Sequence, residues 1–293
     1  MIRWVVSLLV VLMLTACGGG GQKNMIENPY AERMKELSRN GVVAMQRERW
    51  LPAQNLFERA LQAAQLSNRP LLIAQAWYNL GTLHLSSGHD VKGEAALKKA
   101  AAVAEQYSLK LVGLRTQIAL ALIDQKRGIV EWQPDSIPSS VPLDIHLSFA
   151  RLAQLQGRYE VSGKAYEAVL SRKDSDRSSL LYMTEAHMGL ALLAEQQQDH
   201  TTALNEIDSV LVMSRELGAP REAAHALMLK ARLEEVEPSK VDSFEDALAI
   251  YRALKDHRGE KEALVQLMAL AKERGDPDQV QSLQEQLDTL EKD

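Results

Sequence analysis

The chain divides into two unequal patterns of apolar and polar positions. Residues Trp4 to Met13 are apolar apart from Ser7, and Gly18 to Gly21 interrupt the sequence soon after. The long remainder instead repeats small and aliphatic residues on a fixed period. Gly41, Ala53 and Ala60 are followed 40 residues later by Gly81, Gly93 and Ala100, and then by Ala121. Small residues recur where two helices cross closely, because a missing side chain lets backbones approach, so the period predicts stacked helix pairs. Leu56 to Leu61 and Ala96 to Ala101 take equivalent places in the second helix of their units. Units begin near Met34, Ala74, Leu114, Leu143, Thr184, Ala224 and Lys261, giving about seven imperfect repeats.

The period breaks in two places. Pro134, Pro138 and Pro142 forbid a regular second helix in the third unit. The stretch 128–142 is therefore read as a joint, crossed by few contacts, between an N-terminal half, 31–127, and a C-terminal half, 143–293. A second break, around Glu237-Pro238-Ser239, is read as an insertion that lengthens the turn of the sixth unit. At the C-terminus, Asp276 and Pro277 start a last helix, with Gln279 placed to complete a capping box. Val280, Leu283, Leu287 and Leu290 fall on one face of that helix, whose polar outer side suits a terminal cap.

At Trp77-Tyr78-Asn79-Leu80-Gly81-Thr82-Leu83-His84-Leu85, followed by a turn at Gly88, the chain resembles a tetratricopeptide (TPR) repeat. The same grammar returns at Leu152 to Tyr159 with Ala165 to Leu170, at Leu190-Ala191 with Ala203-Leu204, and at Lys230-Ala231 with Ala247-Leu248. The resemblance implies an all-α, TPR-like superhelix of antiparallel helix pairs. It also implies a concave wall made by the first helix of each unit. Carried over by register, the wall takes Gln75, Tyr78, Thr82 and Leu85, then Arg115, Ile118 and Leu122, Leu147 and Arg151, Met188 and Leu192, and Met228 and Arg232. The competing reading is that curvature or the joint buries some of them. The family's carboxylate clamp needs Asn at the ninth position of the first helix, where this chain has Val42, Thr82, Leu122, Arg151, Leu192, Arg232 and Ala269.

Met1-Ile2-Arg3, the apolar run and Leu14-Thr15-Ala16-Cys17 form the n-region, h-region and small-residue cleavage layout of a secretory signal. Leu14 to Cys17 resembles the lipobox of bacterial lipoproteins. That implies a signal peptide, 1–16, and covalent lipid on Cys17, the chain's single cysteine. Residues 17–30 are then a lipidated, flexible tether. The apolar run of roughly a dozen residues is short for a membrane-spanning helix. Gly18 directly after the cysteine favours the outer membrane, periplasmic side. In an organism with one membrane the address becomes the outer face of the cytoplasmic membrane.

Composition narrows the remaining possibilities. Net charge is -5, with both signs interspersed and no basic stripe, so nucleic acid is not an expected partner. None of His84, His89, His146, His187, His200, His225 and His257 forms a zinc-helix motif, and all seven read as surface or groove residues. His84 and His89 are expected on different faces. No nucleophile elbow, phosphate loop or catalytic carboxylate pair stands out. Trp50, Trp77 and Trp132 read more simply as packing residues than as a sugar platform. The sequence thus reads as a non-enzymatic, lipid-anchored scaffold that needs no cofactor beyond the lipid. Its expected partner is a protein or peptide segment in the cell envelope. Alternatives are a chaperone-like binder of unfolded exported chains, if the groove is wide and Met-lined, and a cell-wall enzyme with its site in the groove.

Overall fold

The computed structural model describes residues 28–173 and 176–290. The signal peptide, Cys17 and most of the expected tether lie outside the described residues. Those described form thirteen helices and no strand. Six antiparallel pairs stack in chain order: α1 (Pro29–Gln46) with α2 (Trp50–Ser67), and α3 (Pro70–Ser86) with α4 (Asp90–Gln106). Beyond α5 (Lys110–Lys126) come α6 (Leu143–Leu155) with α7 (Tyr159–Leu170), and α8 (Arg177–Gln196) with α9 (His200–Leu217). The last two pairs are α10 (Pro220–Leu233) with α11 (Glu237–Leu254), and α12 (His257–Arg274) with α13 (Pro277–Leu290).

The recurring small residues sit where the helices cross. A Cβ built on Gly81 would lie 2.7 Å from Leu97 Cγ and 3.2 Å from the carbonyl oxygen of Gly93, so only glycine fits without displacement. Ala53, Ala60, Ala74 and Ala100 are fully buried. Boundaries follow local chemistry. Asn28, Asp176, Asp199 and Asp256 cap α1, α8, α9 and α12 with side-chain oxygens that accept backbone N–H bonds. Asp276 does the same for α13 by accepting from Gln279 N at 3.0 Å. The side chain of Gln279 accepts from Arg274 instead of closing a capping box. Leu283 and Leu287 bury the inner face of α13, with Val280 and Leu290 partly buried beside them.

Two expectations need correction. Glu237 and Pro238 begin α11 rather than forming an inserted turn. Proline at the first turn is compatible with a helix because its missing N–H has no intrahelical partner there. Residues 128–142 are also not a sparsely contacted joint. Ile118 and Ala121 of α5 share one core cluster with Val141, Leu143, Leu147, Phe149 and Tyr166. Trp132 stands edge-to-face on Phe149 with ring centroids 6.2 Å apart. Gln156 donates to the Trp132 carbonyl, Arg158 to that of Pro134, and Arg172 to those of Ser139 and Val141. Proline stops the backbone from pairing with itself, and long side chains flanking α7 satisfy its carbonyls instead. The missing second helix is replaced by a packed strap.

Candidate functional site

The first helices of units 1 to 4 enclose a trough of about 690 Å³. Met34, Lys35, Ser38 and Arg39 enter from α1, Gln75, Tyr78 and Asn79 from α3, Val112 and Arg115 from α5, and Asp144 from α6. This volume is within the range of natural ligand sites. Arg115 fixes the trough's end, since its Nε and Nη2 each donate to Asp144 at 2.9 Å and so tie α5 to α6. Lys35 pairs with Glu32 at 2.7 Å. Arg39 makes no ion pair among the described residues, which leaves the wall with one uncompensated positive charge. Burial raises the Tyr78 phenol above its ordinary pKa, with Arg115 and Asp144 acting in opposite senses, so Tyr78 remains a neutral hydroxyl.

The structure sorts the residues assigned by register. Gln75, Tyr78 and Arg115 line the trough. Thr82 is partly buried and donates its hydroxyl to the Asn79 carbonyl. Leu85 packs in a cluster with Leu97 and Ile123, and Leu122 packs against the joint cluster. Ile118, Leu147 and Met228 are 1%, 3% and 4% exposed, so they are core rather than wall. Without a second helix in unit 3, α6 and the strap cover Ile118 and Leu147. Met228 is taken into the cluster that joins α10, α11 and α12. Met188 and Leu192 are partly buried against a separate cluster. Arg151 is exposed but paired with Glu185 at 3.0 Å, and Arg232 pairs with Glu195 at 3.4 Å. These arginines bridge neighbouring first helices.

Three of the lining residues missed by sequence reasoning had a signal. The same register applied to units 1 and 4 selects Lys35, Ser38 and Asp144, all of which line the trough. The histidines also need revision. His84 and His89 come together, ring centroids 6.2 Å apart, because the turn at Gly88 folds His89 back so that its N–H meets the His84 carbonyl. His146 is 3% exposed, inside the core beneath the strap, with neither ring nitrogen hydrogen-bonded. His187 pairs with Glu206 at 2.6 Å. No group of three or more His, Cys, Asp or Glu side chains suited to a metal occurs among the described residues. Trp50 and Trp77 pack on the core of units 1 and 2, and Lys99 caps the Trp77 ring at 4.2 Å. No described helix is long and apolar enough to cross a membrane.

No protein-family model matches the chain, and comparison with curated proteins finds no match. Solved structures do match. The apo form of the quorum sensor NprR from B. thuringiensis is 12% identical, with a TM-score of 0.64, over 88% of this chain and 76% of its own. The apo form of RapI is 10% identical, with a TM-score of 0.50, over 89% of this chain and 84% of its own. At these identities the likeness concerns fold. The chain is an all-α, TPR-like superhelix of helix pairs.

Proposed function

We propose that this protein is a lipid-anchored envelope scaffold whose trough holds an extended segment of a partner protein. The carrying observation is the trough itself, built by four separate first helices and lined by amide, hydroxyl and aromatic groups beside the charged side chains of Glu32, Lys35, Arg39, Arg115 and Asp144. Such a surface suits a peptide backbone, which presents N–H and C=O groups in alternation. Arg39 favours a segment with an acidic side chain. The likeness to a quorum sensor supports a ligand-holding use of this fold, though fold alone does not transmit function. Met34, the one methionine at the trough, is 2% exposed and belongs to the core beneath it, which disfavours the chaperone-like reading. The lipid on Cys17 and the address at the outer membrane rest on the sequence at 1–21. Cys17→Ser should leave an unacylated, full-length precursor; normal processing to a mature protein that still fractionates with membranes would contradict the lipid anchor.

The trough is tested by a pair of isosteric changes, Gln75→Glu with Asn79→Asp, in the full-length protein. Both positions are partly exposed, so thermal stability should hold while capture of the partner falls by tenfold or more, about 1.4 kcal/mol. The reading is contradicted if capture survives the trough variant and is lost instead on Val212→Glu, which changes the outer surface of α9.

A further inference from the structure

We propose that the edge of units 1 to 3 from which the chain leaves toward Cys17 is seated on the lipid bilayer. This rests on the proposed acylation of Cys17. In stacked antiparallel pairs, the start of each first helix and the end of each second helix lie on one edge. Asn28 marks that edge in unit 1, where its side-chain amide donates to the Ser67 carbonyl at 3.2 Å. Along it stand Tyr30, Leu66, Leu71, Tyr107 and Leu111, which are 47%, 62%, 45%, 50% and 47% exposed.

The row has a register and an end. Tyr30, Leu71 and Leu111 are each the second residue of a first helix. At the same place in units 4 to 7 the chain has Asp144, Ser178, Arg221 and Arg258. At this register the apolar residues stop after the third unit. Arg69 and Lys110 are exposed within the apolar stretch. Tyrosines, leucines and scattered cations are what an interface of acyl chains and headgroups accepts.

Exposed apolar residues alone do not choose this edge, because the opposite edge carries Leu51 and Val91, 69% and 79% exposed. Geometry chooses it. Eleven residue steps separate Cys17 from Asn28, so even a fully extended chain reaches at most about 40 Å. Seating the opposite edge instead would hold Asn28 a helix length off the bilayer, about 27 Å for α1, and would draw out most of that reach. The superhelix also winds over that opposite edge. Arg221 of unit 6 reaches Glu48, in the turn between α1 and α2, at 3.7 Å. Later units therefore stack above unit 1, and its tether-side edge is left as the end face.

The acylated full-length protein, with Leu66→Cys or Val91→Cys, tests the assignment. Cys17 is the only native cysteine, so once it is acylated a thiol-reactive fluorophore labels the introduced site alone. The protein is reconstituted on vesicles of phosphatidylethanolamine and phosphatidylglycerol that contain a headgroup-nitroxide lipid. The label at 66 should be quenched several-fold more than the label at 91. Equal quenching at both sites, or none at 66 in protein that floats with the vesicles, overturns the seating and leaves the anchor standing. Protein that does not float and takes label on Cys17 overturns the anchor, and the seating falls with it.

Discussion

Units 2 and 3 begin with first helices of 17 residues in the same register, yet they present different surfaces. Tyr78 of α3 lines the trough, while Ile118, 40 residues later in the same place, is 1% exposed. The difference is made downstream. Unit 2 has a full second helix, α4, which spaces α3 from α5. Unit 3 has a strap, and α6 closes directly on α5. A wall position in a helical stack is thus defined by what the neighbouring unit leaves open as much as by its own phase. The strap also makes the superhelix continuous, because its side chains join both halves in one cluster.

The largest expected effect tests that continuity. Phe149 is 2% exposed and meets Trp132 across the joint, so Phe149→Ala should cost about 3–5 kcal/mol. Denaturation should remain one transition, seen alike by tryptophan fluorescence and far-UV circular dichroism. Two transitions, with only the later half destabilised, would restore a picture of two loosely joined halves. Gly189→Ala should cost about 1–3 kcal/mol, since its Cβ would fall 2.2 Å from Cζ of the buried Tyr166. Gly113→Ala gives the opposite sign. Its Cβ would meet only Ala104 at 3.8 Å, and alanine should stabilise α5 by up to about 1 kcal/mol. Thermal unfolding of the two variants side by side checks both.

The strap should also leave a pH signature. Burial lowers the pKa of His146 below its ordinary value; the backbone of Ser139 opposes it, and the charge of Arg172 adds a smaller push in the same sense as burial. The folded state then resists a proton that the unfolded state accepts. Stability from this group is complete above about pH 6.5 and declines as pH falls through and below that value. His146→Leu should flatten the slope between pH 7 and pH 5 in urea denaturation. An unchanged slope would mean that other groups set it.

The helix pairs were legible because small residues at crossings and glycine turns act locally and repeat. Glu237-Pro238 was misread because proline marks both a break and a first helical turn, and sequence alone does not separate them. Ile118, Leu147 and Met228 were misplaced because apolar residues suit a binding wall and a core equally well. Only the packing of the next unit decides. Arg151 and Arg232 looked available to a ligand, yet their carboxylate partners lie 34 and 37 residues away in sequence. No local pattern reveals such pairs. Gln75, Tyr78 and Arg115 were found because units 2 and 3 meet the trough before the strap alters the stacking.

The trough is tested most directly by site-specific photo-cross-linking in cells. A photoreactive residue replaces Asn79 in the trough or Val212 on the outer surface of α9, which is 53% exposed. From position 79 the account predicts a discrete adduct with one envelope protein, its cross-linked peptides confined to a single segment. Position 212 should give no such adduct. An adduct from 212 with none from 79 would contradict the account and place the binding surface on the outer face.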